Sequence, residues 1–370
     1  MQQYNKLMKR CIALAKRGTG FTTPNPLVGA VIFDDDFNIV AEGYHKKYGQ
    51  AHAEVNAVKN ANCDLKGMCI AVNLEPCSHH GKTPPCADLI IKNGFKKVVI
   101  GIKDPNPIVA GNGIKKLEDA GIEVITGVLG KECAHLNEIF LKNQIEKKPF
   151  IAIKTATTLD GKIACKTGDS KWITSEKARQ KVQELRHEYS AIITGSNTII
   201  KDNPSLNCRL KNGVNPTRII VDSKLKTDPK SNVYNNDGTK IIILTSQSAH
   251  DSNKKQYPNH VELVICKEKG DYLDLNDAIK KLFSKGIPSI LVEGGAGLNS
   301  AFIKEKLVDK LYHFVAPKIL GDKESISFVD GFSTKKMSEA LQLSFSKSTL
   351  FHPDILNEYY FTTPDYSNLN

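Results

Sequence analysis

The residues best suited to chemistry are a histidine, a glutamate and two cysteines in the first quarter of the chain. His52 and Glu54 are separated by one residue, and Cys77 and Cys86 follow. One imidazole and two thiolates are ligands that zinc prefers, and they leave its fourth tetrahedral position for water. Glu54 is close enough in sequence to reach that water and carry its proton to a leaving group. The pattern predicts one zinc ion (Zn2+) per chain, with ligands His52, Cys77 and Cys86 and with Glu54 as the catalytic residue.

The order His-x-Glu, then Pro-Cys, then a second Cys is the signature of zinc-dependent base deaminases. In the general pattern two residues separate the cysteines, whereas eight do so here. Because Pro84 and Pro85 favour the start of a helix at Cys86, the longer loop can still bring both sulfur atoms to one metal. A structural zinc finger is disfavoured because a closed site needs four ligands. His79 and His80 remain alternative ligands, although a position on the substrate side or in solvent is favoured.

Alternating helices and strands surround these residues. A helix is predicted over 4–17, with further helices around 54–60 and 113–120 and strands at 28–33, 38–43, 69–74, 97–102 and 123–126. The charged stretch at 145–149, which ends in proline, marks a domain boundary. Beyond it strands are predicted at 150–156, 191–194, 218–221, 240–244, 260–265, 289–292, 310–315 and 356–362. The sequence therefore predicts two α/β domains in tandem, residues 1–146 and 147–370, of which the first is a three-layer unit.

Length and composition exclude several classes of protein. The chain has 370 residues, of which 40% are hydrophobic and 25% charged, as expected for a folded protein of two domains. No apolar run approaches the ~20 residues of a membrane span, and the N-terminus lacks the apolar core of a secretory signal. Nine cysteines without signs of export argue against a disulfide scaffold. We therefore expect a cytoplasmic protein with no membrane partner.

The charge pattern favours a small anionic ligand over nucleic acid. The formal net charge is +11, but no cluster of basic residues with interleaved aromatic residues is present. Arginine is scarce, with six in the chain. Arg186 and Arg209 are therefore the best candidates for binding a substrate phosphate, with a surface salt bridge as the ordinary alternative for each.

Glycines after a buried strand suggest a nucleotide site in the second half. The strand predicted at 289–292 is followed by Glu293 and then by Gly294, Gly295 and Gly297, which would let backbone N–H groups approach a phosphate at the start of a helix. The full dinucleotide fingerprint is absent, so a purely structural turn remains equally consistent. Trp172, the single tryptophan, could stack on a planar ring, although packing is the commoner role.

The first half resembles the bifunctional riboflavin-biosynthesis deaminase–reductase family. The resemblance is carried by TPNPLVGAV (23–31), HAE (52–54), LEPCSHHGKTPPC (74–86), DPNP (104–107) and GNG (111–113). It implies a cytidine-deaminase-like domain that converts a diaminopyrimidinone ribosylamino 5′-phosphate to the corresponding uracil. The eight-residue gap between the cysteines is typical of this family, whereas Asn73 stands where members often carry threonine. The substrate contacts that the resemblance implies are Asn25, His45, Lys82 and Asn106.

The second half is similar to the reductase half of the same family, a dihydrofolate-reductase-like α/β domain. The resemblance implies that NADPH passes hydride to a ribosylamino carbon and gives the ribitylamino product. The cofactor contacts that it implies are Ala156, Trp172, Thr198, Asp202, Ser223, Gly295, Ala296, Gly297, Leu298, Asn299, Ser300 and Ala301. The implied substrate contacts are Ser170, Arg186, Leu206, Arg209 and Glu293. Asp222 is an acid directly after a strand, which usually favours an unphosphorylated ribose, so the preference for NADPH depends on the resemblance.

Three alternatives to a bifunctional deaminase–reductase make different predictions. A nucleic-acid base deaminase with an accessory RNA-binding domain would bind RNA tightly and with a steep salt dependence. A zinc-stabilised scaffold without enzymatic activity would tolerate Glu54→Gln. If one domain has lost its activity, only one of the two reactions would be detected. The sequence leaves a homo-oligomer open.

Overall fold

The protein is described here by a computed structural model, which covers residues 1–78, 84–105 and 111–369. The chain forms two compact units, Met1–Lys147 together with Asp365–Asn370, and Lys148–Pro364. The C-terminal residues thus group with the first unit, whereas the sequence boundaries assigned them to the second domain. The backbone N–H of Lys103 donates to the carbonyl of Leu369 at 2.7 Å, and Leu369 packs against the core of the first unit.

The first unit contains a five-stranded sheet. Its elements are α1 (Gln2–Ala15), β1 (Gly29–Phe33), β2 (Ile39–Tyr44), α2 (Ala53–Asn60), β3 (Cys69–Leu74), α3 (Cys86–Lys92), β4 (Lys97–Ile102), α4 (Asn112–Asp119), β5 (Glu123–Ile125), α5 (Gly130–Leu136) and α6 (Glu138–Glu146). The strand order is β2-β1-β3-β4-β5, in which β1 is antiparallel to β2 and β3, and β3, β4 and β5 are parallel. The sequence did not predict α5 and α6.

Helices cover both faces of this sheet, because successive residues of a strand point to opposite faces. In β1, Ala30 and Ile32 pack in the cluster that includes residues of α2, α3 and α4. Val31 and Phe33 pack in the opposite cluster with residues of α1, α5 and α6. The three-layer α/β arrangement predicted from the sequence is confirmed.

The second unit contains a nine-stranded sheet. Its elements are β6 (Phe150–Thr158), β7 (Lys162–Ala164), α7 (Glu176–Glu188), β8 (Ala191–Gly195), α8 (Ser196–Asp202), β9 (Thr217–Val221), β10 (Ile241–Thr245), α9 (Gln247–Asp251), β11 (Val261–Ile265), β12 (Glu268–Lys269), β13 (Tyr272–Leu273), α10 (Leu275–Ser284), β14 (Ser289–Val292), α11 (Ala296–Lys304), β15 (Lys310–Ala316), β16 (Ile326–Ser327), β17 (Ser344–Phe351) and β18 (Asp354–Tyr360).

The order of the large sheet is β11-β10-β9-β8-β14-β6-β15-β18-β17. The strands from β11 to β15 are parallel, and β18 and β17 are antiparallel to their neighbours. The carboxyl ends of β8, β14 and β6 therefore lie side by side at one edge, the usual place for a ligand in an open α/β sheet. The sequence predicted eight of the nine strands and missed β17, an edge strand that is exposed along most of its length and has no buried apolar run.

Within the described residues, none of the helices combines the length and the apolar character needed to cross a lipid bilayer. The nine cysteines are all present as free thiols, as the sequence predicted.

Candidate functional sites

The three predicted metal ligands come from three elements of the first unit. His52 immediately precedes α2, Cys77 follows β3, and Cys86 is the first residue of α3, as the two prolines before it predicted. The two cysteines are held together by the backbone as well, since the N–H of Cys86 donates to Cys77 Sγ at 3.3 Å. The two cysteines that flank the eight-residue loop are thus in direct contact.

The spacing of the ligand atoms fits a zinc ion. His52 Nδ1 lies 3.6 Å from Cys77 Sγ and 3.4 Å from Cys86 Sγ, and the three atoms lie within 4.8 Å of one another. A tetrahedral zinc ion, with bonds of about 2.0–2.3 Å, separates such nitrogen and sulfur atoms by about 3.5 Å. In the described part of the chain, no other group of three or more His, Cys, Asp or Glu side chains has this arrangement.

The two thiols differ in how readily they ionise. The hydrogen bond with Cys86, together with that of His52, lowers the pKa of Cys77 to about 4. The contact with Cys77 and burial raise the pKa of the Cys86 thiol. Because zinc binds thiolates, the lowered pKa of Cys77 favours metal binding at this site.

Glu54 lies beside the ligands without belonging to the ligand set. It occupies the first turn of α2, and its side chain is 3% exposed. Burial raises the pKa of its carboxyl, and the neighbouring Cys77 adds to this effect. The carboxylate also interacts with the thiol of Cys86. It can therefore reach whatever occupies the open side of the metal site.

Gly43, which was not among the predicted functional residues, allows the helix that carries His52 and Glu54 to pack closely against the sheet. A Cβ atom at Gly43, in β2, would lie 2.3 Å from the backbone nitrogen of Ala57 and 2.4 Å from the carbonyl oxygen of Ala53. Any side chain at Gly43 would push α2 away from the sheet, and the metal ligand and the carboxylate would move with it.

Two of the predicted substrate contacts lie next to the metal ligands. The ring of His45, which is buried, meets the ring of His52 edge to face with centroids 5.5 Å apart. His45 Nδ1 lies 3.0 Å from the carbonyl oxygen of Ala51, and Nε2 lies 3.2 Å from Asn25 Nδ2. Since the carbonyl requires a proton on Nδ1, Nε2 accepts from Asn25, and burial, which lowers the pKa of His45, favours this neutral ring. The remaining predicted residues of this group lie outside the described residues: Lys82, Asn106, His79 and His80.

In the second unit, the structure joins two predicted substrate residues in a largely buried ion pair. Arg186 Nε and Nη2 donate to the two carboxylate oxygens of Glu293 at 2.7 and 2.9 Å. Burial alone would raise the pKa of Glu293, but the charge and hydrogen bonds of Arg186 outweigh it and hold that pKa below its usual range. Arg186 Nη1 also donates to the carbonyl of Asn207 at 3.0 Å, and Arg209 interacts electrostatically with Glu293. The side chain of Leu206, in contrast, is buried in a hydrophobic cluster of this unit.

A third cation at this pair was missed from the sequence. Lys154, in β6, interacts electrostatically with Glu293 and Arg186, and burial lowers the pKa of its ammonium group. In the sequence, Lys154 stands out only as the one charged residue in the strand Phe150–Thr158, whose other residues are apolar or carry hydroxyl groups. Such a residue in a buried strand needs a partner, and that rule could have identified it.

Three glycines border open space at the carboxyl ends of β8 and β14, and two of them, Gly295 and Gly297, were predicted from the sequence. A Cβ atom at Gly195, Gly295 or Gly297 would meet no atom within 4 Å. The two strand ends are tied together because Thr194 Oγ1 donates to the carbonyl of Glu293 at 2.8 Å. These glycines leave room for a ligand beside the start of α11, where backbone N–H groups can bind a phosphate.

Other residues of this predicted cofactor segment use their side chains inside the protein. Leu298 and Ala301 pack against the core. Asn299 Nδ2 donates to the carbonyl of Phe328, and Ser300 Oγ accepts from the backbone N–H of Asp330. Asn299 Oδ1 is buried and has no hydrogen-bond partner among the described residues.

The remaining predicted cofactor residues are spread over the same unit. Trp172 is exposed, and the guanidinium of Arg179 lies 4.3 Å above its ring. Ser223 follows β9 and lines a cavity of about 260 Å³ together with Lys224 and Ser246. The other predicted cofactor residues are Ala156 in β6 and Thr198 and Asp202 in α8. The predicted substrate residue Ser170 precedes α7.

Asp222 does not have a carboxylate available for a ribose. It is 1% exposed and accepts hydrogen bonds from the backbone N–H of Lys226 and from the N–H and Oγ1 of Thr227, at 2.7–2.9 Å. This acid therefore fixes the turn that follows β9.

Each half of the chain matches a protein-family model. Residues 1–102 match the cytidine and deoxycytidylate deaminase zinc-binding region, which includes His52, Cys77 and Cys86. Residues 149–357 match the RibD C-terminal domain. The second half therefore does not match the accessory RNA-binding domain that a nucleic-acid base deaminase was expected to have.

Curated relatives and solved structures match the chain over nearly its whole length. The riboflavin biosynthesis proteins RibD of Actinobacillus pleuropneumoniae and Bacillus amyloliquefaciens are 43% and 42% identical, and each match covers 96% of this chain and 95% of the relative. A diaminohydroxyphosphoribosylaminopyrimidine deaminase/5-amino-6-(5-phosphoribosylamino)uracil reductase from Thermotoga maritima has a similar structure, with a TM-score of 0.88 and 41% identity over 97% of this chain and 99% of that one. For RibD of Acinetobacter baumannii the TM-score is 0.85 at 35% identity, over the same shares of the two chains.

Proposed function

The chain belongs to the RibD family of bifunctional deaminase–reductases of riboflavin biosynthesis, and we propose that it performs both reactions on phosphorylated pyrimidines. The first unit deaminates a diaminopyrimidinone ribosylamino 5′-phosphate to the corresponding uracil. The second unit reduces the ribosylamino group of that uracil to ribitylamino with NADPH. The observation that carries the proposal is the convergence of His52, Cys77 and Cys86 beside the buried Glu54.

In the deamination, water adds to the amine-bearing ring carbon and ammonia leaves, so that a carbonyl oxygen replaces the amino group. When bound, zinc supplies a water molecule polarised toward hydroxide at neutral pH. Glu54 takes the proton and delivers it to the departing amine, and its raised pKa suits a carboxyl that must hold a proton for part of the cycle. Asn25 and the neutral His45 lie beside this centre and orient the pyrimidine.

In the reduction, hydride adds to the sugar carbon that bears the amino group, the bond from that carbon to the oxygen of the sugar ring breaks, and the released oxygen takes up a proton. NADPH supplies the hydride. The open glycines at Gly195, Gly295 and Gly297 bind the dinucleotide phosphates through the backbone. Arg186, Arg209 and Lys154 all interact with one carboxylate, that of Glu293, and the two arginines alone exceed its charge, which suits the 5′-phosphate of the substrate.

We expect the purified protein to contain about one zinc ion per chain, and Cys86→Ser to lower that content to near zero because a tetrahedral site with one ligand missing binds zinc much more weakly. Atomic absorption on the intact chain measures this. Cys63→Ser is the matched control, since Cys63 is an exposed free thiol. Full zinc content in the Cys86→Ser protein would contradict the assigned ligand set.

Asp222→Asn is expected to leave the preference for NADPH over NADH unchanged within about twofold, because the carboxylate binds a turn and not a ribose. The ratio of kcat/KM values for the two coenzymes measures it. Thermal stability should fall, since an asparagine amide cannot accept from both Lys226 and Thr227 as the carboxylate does. A preference that moves by tenfold or more would place Asp222 at the coenzyme.

Both activities can be assayed on the full chain. Ammonia release from the diaminopyrimidinone phosphate reports the first reaction, and oxidation of NADPH with the deaminated phosphate reports the second. Release of ammonia without any oxidation of NADPH, or the reverse, would show that one unit is inactive.

A further inference from the structure

Two buried asparagine side chains hold a short backbone segment just before β1. Asn73 Oδ1 accepts from the N–H of Gly29 at 2.7 Å, and Asn73 Nδ2 donates to the carbonyl of Leu27 at 2.9 Å. Asn137 Oδ1 accepts from the N–H of Leu27 at 2.8 Å, and its Nδ2 donates to the same carbonyl at 3.0 Å. Both side chains are at most 3% exposed. Each polar group of the Leu27 backbone is therefore bonded to an amide that comes from elsewhere in the fold.

This segment leads directly into the metal centre. Asn25 precedes Leu27 by two residues, and its Nδ2 donates to Nε2 of His45. The backbone N–H of His45 in turn donates to the carbonyl of Val28 at 2.9 Å, within the held segment. Since the His45 ring contacts the metal ligand His52, a shift of 27–29 would move Asn25 and His45 relative to the metal site.

We propose that Asn73 and Asn137 are positioning residues for the deaminase reaction, which act by fixing residues 27–29 and thereby the placement of Asn25 and His45. The proposal rests on the proposed function, in which Asn25 and His45 orient the pyrimidine. The amide of Asn73 spans Leu27 and Gly29, with its acceptor bonded to one and its donor to the other. A residue with a single hydroxyl group could not reproduce an acceptor and a donor at the two ends of an amide.

The chain offers an internal control for this role. A positioning residue of the first unit should change substrate binding in deamination and should not change the reductase activity of the second unit. Asn60→Ala is a matched variant, because Asn60 Nδ2 also donates to a backbone carbonyl of the first unit, that of Glu42 at 2.8 Å, but on an exposed surface.

The test compares Asn73→Ala, Asn25→Ala and the double variant in the full zinc-bound protein. Each single variant is expected to raise the KM for deamination about tenfold, and the double variant should show about the same tenfold increase, because residues that act through one another are not additive. Zinc content, reductase kcat/KM and the values for Asn60→Ala should match the unmodified protein. Should Asn73→Ala fail to fold, Asn137→Ala and Asn73→Asp carry the same comparison, and the latter keeps the acceptor for Gly29 while removing the donor to Leu27.

Three results would overturn the proposal. A hundredfold increase in the double variant would show that Asn73 acts independently of Asn25. If the KM were unchanged in Asn73→Ala but raised in Asn25→Ala, Asn25 would contact the substrate, and Asn73 would not be needed to position it. An unchanged KM in Asn25→Ala would show that Asn25 does not contact the substrate and would also contradict the proposal. The role of Glu54 would not be affected by that result, because Glu54→Gln tests it separately.

Discussion

Replacing Glu54 by glutamine is expected to lower kcat for deamination by about 10³-fold. The amide has nearly the same size as the carboxyl but can neither take up nor deliver a proton at neutral pH. Because Glu54 is not one of the ligands grouped around the metal position, zinc content should stay at about one ion per chain. The measurement is steady-state ammonia release, with zinc determined on the same preparation.

Glu42→Gln is the matched control for this variant. Glu42 lies in the same unit, and its carboxylate forms two hydrogen bonds with Arg10, at 2.5 and 2.6 Å, away from the metal site. It should lose some stability and keep its ammonia release. If the Glu54→Gln protein retained full deaminase activity with zinc bound, the zinc centre would be a scaffold or would use another base.

Arg186→Ala is expected to abolish most of the reductase activity, with kcat/KM reduced by at least about 10²-fold. It removes a cation from the proposed phosphate site and leaves the buried carboxylate of Glu293 without its main partner. Breaking a buried pair in this way costs about 3–5 kcal/mol of stability. Deamination in the same protein should be unaffected, and Lys181→Ala, which removes an exposed ion pair of α7, should change neither reaction.

A second variant separates loss of stability from loss of binding. Neutralising both partners, with Arg186→Met and Glu293→Gln together, removes the uncompensated charge and should restore much of the denaturation midpoint. Reductase activity should stay low, because the groups that contact the substrate are gone. If activity returned together with stability, the ion pair would serve the fold alone.

The chemistry of the metal centre could be predicted from the sequence because its parts are local. His52 and Glu54 are separated by one residue at the start of one helix, and Cys86 is the first residue of the next helix, after two prolines. Short-range rules for helix starts and buried strands describe such elements well. Eight strands of the large sheet were also predicted. Six of them are largely buried runs, β6, β8, β9, β10, β14 and β15, whereas β11 and β18 are only partly buried.

The roles of individual polar side chains, in contrast, could not be predicted from short-range patterns. Asp222 has the sequence position of a ribose ligand, yet its carboxylate is occupied by the turn at Lys226 and Thr227. Asn73 showed only a departure from the family pattern, and nothing in the linear sequence connects it with Leu27, 46 residues away. Lys154 became meaningful only next to Glu293 and Arg186.

Residue types and short periodic patterns were thus enough to predict the zinc ligands His52, Cys77 and Cys86, the two α/β domains and most of their strands. Which distant groups meet depends on tertiary packing. The bond between Arg186 and Glu293 spans 107 residues, and it exists because β14 lies between β8 and β6 in the sheet. Strand order is set by the packing of the whole core, which no local pattern encodes.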